Sequence, residues 1–285
     1  MRQRRVRGIE ERLAPYADLI LQTAAAPGSP CDHPGGEKEM PAGSRELSED
    51  LHCEPLTFPN TSLTQSLSRA PSNRREVSVP ASEDILHARW YQRPSPRYEL
   101  PGGYERVYAE FGCGRGLFIN TMASEDPEGL YIGIEGCKTI VIRGLEKTRA
   151  AGLLNVRYID AFVNDAVSAL GGGTLDGLFL NFSDPWPKDR HADRRLTSPG
   201  KAEKYMSVLK DGGFASFKTD GEAFFKYSLE TFTNAGFHIA GAACDIAASA
   251  YDPGIAERAA AVQTEYEIKF RALGKPVYQF TAIKK

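Results

Sequence analysis

Val107-Tyr108-Ala109-Glu110-Phe111-Gly112-Cys113-Gly114-Arg115-Gly116 decides the fold of this 285-residue chain. Residues 107–111 read as a strand, the glycines as a tight loop, and Phe118, Ile119 and Met122 as the apolar stripe of a helix. A Gly-x-Gly-x-Gly string alone is an ordinary turn. A strand entering it and a helix leaving it make it a candidate ligand loop, with Gly112, Gly114 and Gly116 against the ligand.

Outward from that loop, strands and helices alternate. Strand 131–134 ends in Glu135 and precedes a helix over 138–151. Strand 155–159 ends at Asp160-Ala161, and Phe162, Val163, Ala166, Val167 and Leu170 continue at helical spacing. An apolar strand over 175–182, a helix near 200–209, a strand over 214–218, a helix over 223–235, a strand over 237–240 and a last segment over 264–283 complete the chain. This alternation predicts an α/β fold: a mostly parallel, twisted sheet with helices on both faces. Ligands of such sheets bind beyond the carboxyl ends of the strands.

Glu135 falls about 20 residues beyond the loop, where a carboxylate can accept both hydroxyls of a ribose. That serves NAD and S-adenosylmethionine alike. The loop spacing lacks the Gly-x-Gly-x-x-Gly that seats a pyrophosphate on a helix end. Glu110 adds a negative charge that repels phosphates and attracts a cationic methyl donor. S-adenosylmethionine is therefore the expected cofactor.

The run 175–182 leads into Asn181-Phe182-Ser183-Asp184-Pro185-Trp186-Pro187-Lys188. Pro185 forces Asp184 out of the helical region and presents it on a stiff turn at a strand end. Lys188, Arg190, His191, Arg194 and Arg195 follow as a basic cluster. Such a run is by default a solvated face. Beside a site it forms a phosphate track, whose expected signature is salt-sensitive RNA binding. Reversing Arg194 and Arg195 to Glu should then weaken RNA binding and spare the cofactor.

A formal charge of −2 excludes a uniformly basic nucleic-acid binder, not a local patch. The five cysteines are scattered without a C-x-x-C pair, which suits a reducing compartment and a cytoplasmic protein. Cys31, His33, His52 and Cys53 would make a zinc set only in a built fold, and they lie in low-complexity sequence, so no metal is expected. No run approaches the ~20 apolar residues of a membrane helix, so no membrane partner is expected. Glu10, Glu11, Arg12 and Asp18 interrupt any signal-peptide core. Residues 1–26 read as a basic arm (Arg2, Arg4, Arg5, Arg7) with a short helix packing on the core. Residues 27–100 read as a disordered insertion and linker, too poor in apolar groups to offset ordering entropy, and 101–285 as the catalytic domain.

Together these residues resemble the bacterial tRNA (guanine-N7)-methyltransferases. The resemblance rests on the string Glu110 to Gly116, Tyr131-Ile-Gly-Ile-Glu135, the octapeptide continued by Arg190-His191 and Arg194-Arg195-Leu196-Thr197, Phe217-Lys-Thr-Asp220, and Thr264-Glu-Tyr-Glu267. It covers the chain from about Val107 onward, plus the amino-terminal arm, and leaves residues 27–100 largely outside. It implies a Rossmann-like class I methyltransferase fold and a tRNA partner methylated at the variable-loop guanine, by a monomer or homodimer. It also implies that Glu110, Glu135, a strand-three Asp and the catalytic Asp184 surround the cofactor. Lys188, Asp220, Thr264, Glu265, Tyr266 and Glu267 would face the guanine, with Arg190, His191, Arg194 and Arg195 on the RNA.

In one place the chain departs from the family pattern: an ungapped count puts Phe162 where the family has its strand-three Asp. Asp160-Ala161 and Asp165-Ala166 compete for that role, and Asp160 is preferred because it leaves a full-length helix behind it. Thr264-x-x-Glu267 also has the spacing of a capping box, and Asp220 could cap the helix that follows it. Trp186 reads as packing before base stacking. The alternatives are a same-fold methyltransferase for another RNA, a protein or a small molecule, which would leave bulk tRNA unlabelled, and a non-catalytic RNA-binding protein, which would not bind the cofactor.

Overall fold

The computed structural model describes residues 8–22, 97–244 and 255–285. The arginines at 2–7, nearly all of the insertion, and the Cys31, His33, His52 and Cys53 set lie outside the described residues.

Helix α1 (Ile9–Leu13) and a 3-10 turn (Ala14–Leu19) begin the described chain. The glycine-loop unit follows as β1 (Arg106–Phe111) and α2 (Leu117–Glu125). Next come β2 (Gly129–Ile134), α3 (Lys138–Ala150), β3 (Val156–Ile159), α4 (Val163–Leu170) and β4 (Leu175–Asn181). A 3-10 turn (Asp189–Arg194) carries the chain to α5 (Pro199–Val208), β5 (Leu209–Thr219), α6 (Glu222–Asn234) and β6 (His238–Ala243). The chain ends in α7 (Ile255–Ala261), α8 (Glu265–Arg271) and β7 (Tyr278–Ile283).

These strands form one seven-stranded sheet in the order β3-β2-β1-β4-β5-β7-β6. β3, β2, β1, β4 and β5 are parallel, and β7 runs antiparallel to both β5 and β6. Strand β5 begins earlier than the sequence predicts. Leu209, expected to end a helix, pairs with Leu175, and the ladder resumes at Gly177 and Phe214 after an irregularity.

Alternating side chains build a core on each face of the sheet. One face buries Ala109, Phe111, Ile132, Ile134, Leu178, Leu180 and Phe217; the other buries Tyr108, Tyr131, Tyr158 and Phe179. Each large apolar side chain so buried contributes roughly 1.5–3 kcal/mol. The amino-terminal segment adds Leu13 and Leu19 to the second core, and the Leu21 N–H donates to the Tyr158 carbonyl at 2.8 Å.

From β1 the chain builds outward to β2 and β3, then crosses to the other side of β1 to form β4. The order reverses between β1 and β4. Crevices open at such a reversal, beyond the carboxyl ends of the strands. Asn181 ends β4 and Glu110 is the penultimate residue of β1, and Asn181 Nδ2 donates to Glu110 Oε1 at 2.9 Å.

Candidate active site

Gly112, Gly114 and Gly116 all have positive φ (78°, 56° and 72°), the left-handed region that favours glycine. A β-carbon on Gly116 would lie 2.6 Å from the Tyr158 hydroxyl and 2.9 Å from Gly144 Cα, so this glycine lets α2 approach α3 and β3. A β-carbon on Gly114 would meet nothing within 4 Å, so the middle of the loop is open for a ligand. The Gly114 N–H donates to Glu135 Oε2 at 3.2 Å and the Cys137 N–H to Oε1 at 2.9 Å. The Glu135 carboxylate is thereby fixed. Burial raises its pKa, and the two amides oppose that rise.

Beside the loop lies a cavity of about 400 Å³ whose walls include Gly112, Glu135, Phe162, Ser183, Asp184 and Trp186. Glu135 and Asp184 therefore share one cavity, as a cofactor held between strand tips requires. Glu110 lies behind the wall, 2% exposed. Burial pushes its carboxyl up to about 8, against the Asn181 hydrogen bond. The second carboxylate oxygen of Glu110, Asn181 Oδ1 and Ser183 Oγ are buried and make no hydrogen bond among the described residues. Unsatisfied polar atoms thus sit directly behind the cavity wall at the tips of β1 and β4.

The turn holding Asp184 is strained on both sides. Phe182 (φ 49°) and Trp186 (φ 41°) are the non-glycine residues with positive φ among the described residues. Each such residue costs on the order of 1–3 kcal/mol and persists only when its surroundings force it. Arg195 supplies much of that force. Its Nε donates to the Pro185 carbonyl at 2.9 Å and its Nη2 to the Trp186 carbonyl at 3.1 Å, while its guanidinium lies 4.3 Å over the Tyr227 ring. Arg194 sits 5.0 Å over the Trp186 ring, and His191 meets the same ring edge-on at 5.7 Å. His191, Arg194 and Arg195 thus brace the turn, and reversing Arg194 with Arg195 would disturb the site as well as any RNA track. Lys188, Asp184 and Arg190 are exposed.

Helix α8 flanks the other side. The Thr264 hydroxyl accepts the Glu267 N–H at 3.0 Å, so this pair does cap the helix. The Glu267 carboxylate does not face the cavity. It is fully buried, 3.3 Å from Lys218 Nζ and 2.8 Å from Arg271 Nε. Glu265 pairs with Lys147, which also donates to the Arg115 carbonyl at 3.1 Å in the glycine loop. Tyr266 is half exposed, packs 5.2 Å from the Phe182 ring and donates weakly to Asp220 Oδ2 at 3.4 Å. Asp220 makes no side-chain cap on α6.

Two expected positions differ. Asp160 turns from the cavity to Lys138 Nζ at 3.3 Å and lines a neighbouring hollow with Glu10 and Tyr98. Asp165 lies in the first turn of α4, one turn past the strand tip. Lys218, part of the Phe217-Lys-Thr-Asp220 string, has a role beyond that string, and a lysine inside an apolar strand was its only sequence signal. Phe182 likewise carries a strained backbone that leaves no mark in sequence.

The strand order, the glycine loop, the fixed Glu135 and the strained Asp184 turn define a class I, S-adenosylmethionine-dependent methyltransferase. Residues 104–280 match a family model described as "Putative methyltransferase". The tRNA (guanine-N(7)-)-methyltransferase of Geobacillus sp. is 37% identical over 205 residues, 70% of this chain and 90% of the relative. That of Bacillus licheniformis is 36% identical over 181 residues, 64% and 82% of the two chains. That of Lachnoclostridium phytofermentans is 31% identical over 213 residues, 73% and 97%. This chain belongs to the tRNA (guanine-N7)-methyltransferase family.

The residues present fit S-adenosylmethionine. Glu135 offers acceptors for a ribose, Gly114 offers an open backbone, and Asp184 shares the cavity with Glu135. When bound, the cofactor supplies a methyl group activated by a sulfonium.

Proposed function

We propose that this protein methylates N7 of a guanine in tRNA, the variable-loop guanine by family membership, to give 7-methylguanosine. The carrying observation is the strained Asp184 turn, which opens on the cavity it shares with Glu135 and leads directly into exposed Lys188 and Arg190. Guanine N7 has a lone pair and no proton, so the reaction needs no general base. The site has to align that lone pair with the methyl and exclude other geometries.

Asp184 and Asp220 accept hydrogen bonds from guanine donors and supply negative field as the purine becomes cationic. Lys188 donates to O6, the other major-groove acceptor of guanine. Tyr266 packs beside the base, and Glu265, Thr264 and Glu267 hold α8 in place. The cluster from Lys188 to Arg195 tracks the phosphates. Residues 101–285 carry the catalysis, 1–26 an arm, and 27–100 an insertion. Among the described residues no helix is long and apolar enough to cross a membrane. The cytoplasm, where tRNA is, is the proposed compartment.

Purified protein incubated with methyl-labelled cofactor and unmodified tRNA should place the label in 7-methylguanosine after nuclease digestion. Label in another nucleoside, or none in RNA, would refute the reading.

A further inference from the structure

The carboxylate at the tip of β3 is engaged away from the cavity. Asp160 lies 3.3 Å from Lys138 Nζ, which also binds Glu10 at 2.6 Å. In its stead the cavity wall carries Phe162, 67% exposed and among the most exposed large apolar side chains described. Phe162 is the N-cap of α4 and makes no side-chain capping bond. Ser, Thr, Asp or Asn serve that position better, so neither the helix nor the core accounts for a phenylalanine there.

Its location does account for it. A β-carbon on Gly136 would come within 2.8 Å of two Phe162 ring carbons, so the ring rests directly on the backbone of the residue after Glu135. An aromatic ring thus borders the carboxylate expected to hold the ribose, and both line the same cavity. In a nucleoside, a flat base lies one glycosidic bond from its ribose.

We propose that Phe162 is the stacking platform for the adenine of the cofactor, and that in this chain the platform, rather than the β3 carboxylate, holds the base. The inference rests on S-adenosylmethionine being the cofactor. It makes Phe162 a binding residue at the β3–α4 junction.

The test is calorimetric titration of the full chain with S-adenosylhomocysteine and, separately, with adenosine. Stacking of a base on an aromatic side chain corresponds to roughly tenfold or more in affinity. Phe162→Ala should raise both dissociation constants at least about tenfold and by similar factors, because the loss lies at the shared adenine. Phe162→Tyr and Asp160→Asn should each stay within about twofold of the parent. Because Phe162 is exposed, the unliganded melting temperature of Phe162→Ala should not fall, which separates lost stacking from lost fold.

Unchanged affinity in Phe162→Ala, with Glu135→Gln still weakened, would overturn the platform and leave the cofactor reading standing. A loss in Asp160→Asn matching that in Phe162→Ala would overturn the claim that stacking replaces the carboxylate. Weakened tRNA binding in Phe162→Ala with intact adenosine affinity would assign the ring to RNA. Absence of any S-adenosylhomocysteine binding by the parent would remove the cofactor reading itself.

Discussion

Lys218 Nζ lies 3.3 Å from Glu267 Oε2, and neither side chain reaches solvent. The same ammonium donates to the carbonyls of Ala260 at 3.1 Å and Val262 at 2.9 Å, so it clamps the segment between α7 and α8 to the tip of β5. Burial pushes its pKa down to about 8, with Glu267 opposing. Glu267 thereby serves the site as a positioning residue. Removing one partner of a buried pair costs about 3–5 kcal/mol. Lys218→Met should therefore lower urea stability by that order, and Lys218→Met with Glu267→Gln should recover part of it. Equal losses in both variants would deny the pair this role.

Glu110 should make cofactor binding depend on pH. Its carboxyl is raised from 4.5 to about 8 by burial, so the folded state holds the proton more tightly than the unfolded state. Its contribution to stability is then fully present below the ordinary value and is lost as pH rises through the folded value. Stability of the ligand-free protein should decline between about pH 4.5 and 8 by a component that Glu110→Gln abolishes. Over the upper part of that range, affinity for cationic S-adenosylmethionine should rise relative to S-adenosylhomocysteine. A parallel pH dependence for the two ligands would contradict this.

Arg195, bonded to the Pro185 and Trp186 carbonyls, should act on the chemistry through the backbone of the turn. Displacing reacting groups by about 1 Å costs on the order of a hundredfold in rate. Arg195→Ala should lower kcat by roughly ten- to a hundredfold, and Arg195→Lys should rescue little, since a lysine cannot span two carbonyls with a planar fork. Rescue by lysine would reduce Arg195 to a point charge.

The phosphate track is better tested at Lys188 and Arg190, which are exposed, than at the bracing arginines. Lys188→Glu with Arg190→Glu should weaken tRNA binding, and the loss of the Arg190 phosphate contact should reduce the slope of log affinity against log salt by about 1. Affinity for S-adenosylhomocysteine should not change. An unaltered salt slope would take these side chains off the RNA.

Much of the sheet was legible because buried parallel strands are unbroken apolar runs, and here their tips carry Gly112, Glu135 and Asp184. β5 was harder, since Gly212 and Gly213 interrupt the apolar pattern where the strand in fact continues from Leu209. The antiparallel insertion of β7 between β5 and β6 leaves no local signal, because it is decided by packing across the sheet. In the site, residue types were legible and orientations were not. Asp160 and Glu267 are acids at plausible positions, yet Lys138 and Lys218 turn them elsewhere. The left-handed backbone of Trp186 is held by Arg195, and the Phe182 N–H donates across the sheet to the Lys218 carbonyl, neither of which is marked in the local sequence.

The central claim is that a ring nitrogen of guanine, carrying a lone pair and no proton, attacks the methyl. tRNA transcribed with 7-deazaguanosine in place of guanosine tests it most directly, because C–H then replaces that nitrogen while phosphates and O6 remain. Such RNA should bind the protein within a few-fold of normal tRNA and accept no methyl group. Methyl transfer to the 7-deaza transcript at the rate seen with normal tRNA would contradict the account.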